Sequence, residues 1–135
     1  MPFVVDASVA ASWAFDDEDE PVANFALERV TQDLVFAPSL IWFELRNALL
    51  AGERRSRSTE VRTAKFLEWF ERMGIQLDGV PVESQVFALA RRHRLSFYDA
   101  AYLELARRLN APLATLDKKL AAAALADDIP LLPAP

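Results

Sequence analysis

The sequence predicts an α/β fold built on a parallel sheet. Short apolar runs of strand length alternate along the chain with longer segments of helical periodicity. The 135 residues are 53% hydrophobic, enough to fill one core, so a single domain over residues 1–135 is expected. With strands interleaved among helices, the connections should be right-handed crossovers, and functional groups should collect at the carboxyl ends of the strands.

Residues 3–6 form the first strand, the apolar run Phe3-Val4-Val5 closed by Asp6. Residues 8–15 and 21–31 read as helices, the second with Val22, Phe25, Ala26 and Val30 at helical spacing. A second strand, 34–37, is ended by Pro38, and Ser39 is placed to cap a helix running to about Gly52. The arginine-rich segment 53–58 reads as a loop. A long helix, 59–73, carries Val61, Phe66, Trp69, Phe70 and Met73 along one side and stops at Gly74. Strand three is 75–78, helices span 82–94 and 97–109, and strand four is 113–116. A helix at 118–126 and an edge strand at Leu131-Leu132 complete the pattern.

Several classes of function fall away. The absence of cysteine removes disulfides, thiolate zinc sites and thiol nucleophiles, and fits a cytoplasmic protein. No uninterrupted apolar run approaches the ~18 residues of a membrane span. The first apolar stretch lacks a basic flank and contains Asp6, unlike a signal peptide. Neither GxGxxG nor GxxxxGK[ST] occurs. The lone histidine, His93, lies among Arg91, Arg92 and Arg94, where it reads as a helix-terminal cation rather than a catalytic base. The net charge of −5 comes from the run Asp16 to Glu20, read as a solvated loop. The remainder is neutral, which leaves a nucleic-acid substrate open.

Four acidic residues then stand out. Asp6 and Asp117 follow strands, Asp99 opens a helix, and Glu44 lies among the apolar residues of Leu40-Ile41-Trp42-Phe43-Glu44-Leu45. Each has another reading: Asp6 and Asp117 can cap the helices after them, and Ser96-Phe97-Tyr98-Asp99 matches a capping box. Glu44 has Asn47 as its nearest polar neighbour on the helix face. Gathered on one rim, four carboxylates repel, and a divalent cation is the usual way to keep them ionised. Oxygen-only ligands suit Mg²⁺ or Mn²⁺, so the chain reads as a metal-dependent enzyme acting on phosphates.

The segments Val5-Asp6-Ala7-Ser8, Glu44-Leu45-Arg46-Asn47, Phe97 to Tyr102 and Thr115-Leu116-Asp117 resemble those of PIN-domain nucleases, most closely the VapC-type toxins of toxin–antitoxin pairs. Their order and spacing match across the whole chain. The resemblance implies one PIN-like domain with a parallel sheet of four to five strands, order 3-2-1-4-5, flanked by helices. It implies metal-dependent endonucleolytic cleavage of RNA, with Asp6, Glu44 and Asp99 on the core acidic positions and Asp117 on a fourth. Ser8, Asn47 and Thr115 fall on polar positions that support the acids. Arg54, Arg55, Arg57, Lys118 and Lys119 are candidates for RNA phosphates. A homodimer restrained by a small cognate antitoxin is implied as well. Trp13, Phe15, Trp42 and Phe43 would receive the antitoxin, and Trp69 and Phe70 would make dimer contacts. Competing readings are a PIN-domain RNA-processing nuclease without an antitoxin and a non-catalytic RNA- or protein-binding module. A phosphatase of the aspartate-nucleophile type would need an aspartate where Ser8 stands.

Overall fold

The computed structural model describes residues 1–134. Four parallel strands, β1 (Phe3–Val5), β2 (Val35–Pro38), β3 (Gln76–Asp78) and β4 (Leu113–Ala114), form one sheet in the order β3-β2-β1-β4. Val4 stands beside Phe36 on one side and Leu113 on the other. Leu131 makes a single parallel bridge to Leu113, so the expected fifth strand is reduced to one bridge at its expected place beside β4. The helices are α1 (Ala7–Ser12), α2 (Pro21–Arg29), α3 (Ile41–Arg54), α4 (Glu60–Arg72), α5 (Glu83–His93), α6 (Phe97–Leu109) and α7 (Lys118–Ala126).

Parallel strands buried on both faces need continuous apolar runs, and β1 has one: Phe3, Val4 and Val5 are fully buried. Helix α6 is the central helix of the fold. It contacts β1, β2 and β4, and its residues from Ala100 to Ala106 are all buried. That run includes Glu104, whose charge is met by Arg108 one turn on, at 2.7 Å, and Arg108 in turn grips Asp78 of β3 at 2.6 Å. Helix α5 lies against α6, and α1 packs on α2 and α3. Among the described residues no helix is long and apolar enough to cross a membrane.

Three local expectations are corrected. Pro38 is itself the last residue of β2, paired with Asp78, rather than the first residue beyond it. Ser39 does not cap α3; its amide donates to the Asp78 carbonyl, and Leu40 precedes the helix without a side-chain cap. Gly52 does not terminate α3. It is buried inside the helix because the Phe15 ring lies against it, where a Cβ would stand 2.3 Å from a ring carbon. The other stops follow the expected chemistry: Thr59 caps α4 by accepting from the Arg62 amide, and Gly74 leaves that helix at φ +69°.

Candidate active site

Because β1 and β4 are adjacent and parallel, their carboxyl ends open on the same edge of the sheet. Asp6 follows β1 as the N-cap of α1, and Asp117 follows β4 as the N-cap of α7. Glu44 lies in the first turn of α3, and Asp99 in the first turn of α6. All four acids therefore sit at helix N-termini, where the unpaired amides and the helix dipole favour negative charge. This is the physical means by which the fold tolerates the grouping.

Asp6 is only 5% exposed and is held on every side. Its Oδ1 accepts from the Ser8 hydroxyl at 2.6 Å and the Val9 amide at 3.0 Å, and its Oδ2 accepts from the Thr115 hydroxyl. Ser8 Oγ in turn accepts from the Leu116 amide, and Thr115 Oγ1 accepts from the Asp117 amide. Two hydroxyls thus stitch the β1–α1 junction to the β4–α7 junction with Asp6 at the centre. Burial pushes the Asp6 carboxyl up, the hydrogen bonds pull it down, and the charge of Asp117 adds to the rise; the result lies above the ordinary carboxylate value.

Glu44 is half-buried, and its Oε1 accepts from the hydroxyl of the buried Tyr102 at 2.7 Å. Its carboxyl is also raised, by burial first and then by the charges of Asp99 and Asp6, against the lowering effect of Tyr102. The expected partner, Asn47, makes no side-chain hydrogen bond to it among the described residues; the amide is exposed and faces a shared hollow instead. Tyr102 is the residue that spacing missed. It belongs to another helix and reaches Glu44 across the fold. Asp99 receives only half of a capping box: its amide donates to Ser96 Oγ at 3.0 Å, while its carboxylate makes no return bond among the described residues. Asp117 is exposed, with Oδ1 accepting from the amides of Lys119 and Leu120.

The donor set is chemically that of a hard divalent cation: carboxylate oxygens, no nitrogen and no sulfur. Glu44 Oε2, Asp117 Oδ2 and both Asp99 oxygens have no hydrogen-bond partner among the described residues. Asp6 and Glu44 both register the charge of their acidic neighbours. Yet among the described residues no three such side chains stand close enough to hold an ion as placed. The residues fit a cation in the kind of donor they offer, and not in the arrangement they show.

The expected phosphate ligands divide. Arg57 is committed elsewhere: it pairs with Asp17 at 2.9 Å and Glu18 at 2.7 Å and lies over the Phe15 ring, so the acidic run is tied down rather than freely solvated. Lys119 donates to the Arg94 carbonyl at 2.7 Å. Arg54, Arg55 and Lys118 are exposed. The aromatics divide as well. Phe15 is buried, and Trp13 donates to the Ala23 carbonyl and meets Trp69 edge-on. Phe70 packs against the core and the partly buried Trp69 lies against Trp13 and Phe66, while Trp42 and Phe43 are 46% and 72% exposed. His93 and Arg92 close on the buried Asp127 beyond α7, a structural ion pair.

A family model described as "PIN domain" matches residues 3–125. Ribonuclease VapC3 of Pyrobaculum aerophilum is 31% identical over 125 residues, which cover 90% of this chain and 93% of that protein. The crystal structure of PAE2754 from the same organism superposes with a TM-score of 0.69 at 23% identity, covering 91% of this chain and 79% of the other. That of VapC20 from Mycobacterium tuberculosis, described as a sarcin-ricin loop cleaving toxin, gives a TM-score of 0.63 at 17% identity, covering 90% and 94%.

Proposed function

The chain belongs to the PIN-domain family, and on that premise we propose that it is a divalent-metal-dependent endoribonuclease of the VapC type that hydrolyses RNA phosphodiester bonds between Asp6, Glu44, Asp99 and Asp117. What supports the reading is that each of the four acids stands at a helix N-terminus, with Asp6 near enough to Asp117, and Glu44 near enough to Asp99 and Asp6, to feel their charge. A binding module would gain nothing from that repulsion.

Asp6, Asp99, Glu44 and Asp117 would hold Mg²⁺ or Mn²⁺. Such an ion screens charge on the phosphate and makes a bound water more acidic. The protein's own groups do the rest. Ser8 and Thr115 fix the Asp6 carboxylate in one orientation. Tyr102 fixes one Glu44 oxygen and leaves Oε2 to accept the proton of the attacking water. A carboxyl raised above its ordinary value is a better base than an exposed one. The water oxygen bonds to phosphorus, the opposite P–O bond breaks, and the leaving oxygen takes up a proton.

The same reading includes a homodimer and a small antitoxin as partners. Of the aromatics expected to receive an apolar partner helix, Trp42 and Phe43 are exposed and would form its docking surface. A partner arginine would then compete with metal for the carboxylates. Cleavage of RNA by purified protein, with and without EDTA, tests the enzymatic reading. Undiminished toxicity on co-expression with the adjacent small open reading frame would remove the antitoxin.

A further inference from the structure

On the premise that the chain is a ribonuclease, we propose that single-stranded RNA is held at the corner where α5, α6 and α7 meet. Phosphates rest on Arg91, Arg94 and Lys118, and a base rests against Tyr98 in the hollow beside Glu44.

The corner is fixed by one bond, from Lys119 Nζ in the first turn of α7 to the carbonyl of Arg94 in the α5–α6 turn, 2.7 Å long. Arg94 adopts the left-handed conformation, φ 54°, which turns the chain so that Ser96 caps α6 and Asp99 falls in its first turn. Arg94 thus stands within one short turn of Asp99, and Lys118 directly follows Asp117. Arg91 lies 4.9 Å above the ring of Phe87, which meets Phe97 edge-on at 4.9 Å. That pair forms a partly exposed ledge reaching the start of α6.

Pairing sorts the cations. Among the described residues Arg29, Arg57, Arg62, Arg92, Arg107 and Arg108 are each paired with a carboxylate. Arg91, Arg94 and Lys118 are exposed and have no such partner, so their charge remains available to phosphate. Arg46, Arg54, Arg55, Lys65 and Arg72 also lack a carboxylate partner among the described residues. Arg46, however, donates to the Trp42 carbonyl and lies over its ring, and Lys65 and Arg72 belong to α4. Arg54 and Arg55 lie at the far end of α3, about 15 Å along the helix from Glu44.

Beside Asp99, Tyr98 is 65% exposed and shares a hollow of about 390 Å³ with Leu40, Phe43, Glu44 and Asn47. Two exposed aromatic rings offer faces for stacking, which every base can use. The unbonded Asn47 amide offers a donor and an acceptor to a base edge. Free cations at the α5–α6 turn and at the start of α7, together with stacking faces in the hollow beside Glu44, suit a single strand laid along the carboxylates. A purely apolar protein segment would make no use of the cations.

The test is fluorescence anisotropy of a labelled single-stranded RNA oligonucleotide, titrated at several salt concentrations on an Asp6→Asn background that prevents cleavage. Thermal melts confirm that each variant is folded. Arg91→Gln with Arg94→Gln should weaken binding about tenfold or more and lower the salt slope by about 1.4, roughly 0.7 for each lost phosphate contact. Tyr98→Ala should weaken binding about tenfold and leave the slope unchanged. Arg54→Gln with Arg55→Gln should change neither. Parent-like binding by the corner variants, or a loss confined to the Arg54/Arg55 pair, overturns the placement. Retained RNA affinity in Tyr98→Ala together with lost inhibition by a partner protein assigns the hollow to protein and overturns the base contact. A parent protein that neither binds nor cuts RNA defeats the ribonuclease reading itself. One that cuts RNA while the corner variants bind normally defeats only this placement.

Discussion

The phenol of Tyr102 donates to Glu44 from inside α6, and its position within the core fixes that direction. Its hydrogen bond favours the ionised carboxylate and partly opposes the rise caused by burial and by Asp99 and Asp6. In Tyr102→Phe the Glu44 carboxyl should rise further. Glu44 acts ionised, so the acid limb of the pH–rate profile should move to higher pH, with activity down about tenfold to a hundredfold. An unmoved acid limb would separate Glu44 from proton transfer. Asp117 and Asp6 should differ in the same assay. Asp6 is buried with both oxygens held, whereas Asp117 is exposed and one of its oxygens only caps α7. Asparagine caps nearly as well as aspartate, so Asp117→Asn should lose less activity than Asp6→Asn or Asp99→Asn. Equal losses would make Asp117 a full metal ligand. Asp6, Asp99 and Asp117 are legible in the sequence because they sit next to strand ends and helix starts, Glu44 because its sequence neighbours are apolar, and Ser8 and Thr115 through the resemblance alone. Tyr102 is not, because its partner lies 58 residues away and only the tertiary fold joins them.

Helix starts and stops are the best-predicted features of the chain, since their signals are local: Ser96 before α6, Thr59 before α4 and Gly74 after it. Gly52 misled because a glycine near a helix end usually marks a stop, and here it makes room for Phe15. Strand lengths are poorly legible: Leu113 to Leu116 is apolar enough for four strand residues, but only Leu113 and Ala114 pair. Gly52→Ala should destabilise the protein by about 1–3 kcal/mol through overpacking, although alanine is the better helix former. A thermal melt equal to or above the parent would show that the Phe15 ring moves aside easily. At the α5–α7 contact, Arg92, His93 and Arg107 face Asp127. Burial raises that carboxyl, but the hydrogen bond and charge of His93 and the charge of Arg92 outweigh it, leaving it below the ordinary value. A depressed carboxyl contributes stability above its unfolded pKa of about 4, and that contribution is lost as pH falls through the lower folded value. Asp127→Asn should therefore lower the melting temperature at neutral pH and narrow the difference from the parent at strongly acid pH. A difference independent of pH would assign Asp127 a packing role only.

At the scale of the whole molecule, the sheet order and the edge that carries the acids follow from the strand–helix alternation and from the resemblance. Which aromatics face outward does not, because periodicity cannot tell a side chain buried under a neighbouring helix from one left open. The partly buried Trp13 and Trp69 meet each other edge-on and Phe15 is buried, so of the aromatics expected to receive a partner Trp42 and Phe43 are the exposed pair. Trp42→Ala should leave the fold intact and weaken a co-encoded inhibitor, read as restored RNA cleavage in its presence. Full inhibition of that variant would move the partner elsewhere. A homodimer should appear by light scattering at micromolar concentration, and a monomer there would contradict it. The central claim, metal-dependent cleavage of RNA at the four acids, is tested most directly by end-mapping of RNA incubated with purified protein, with Mn²⁺, with EDTA, and as Asp6→Asn. Discrete new ends with Mn²⁺, absent with EDTA and reduced more than about a hundredfold in Asp6→Asn, are the predicted result. The same ends at undiminished yield in EDTA, or in the folded Asp6→Asn protein, would contradict it.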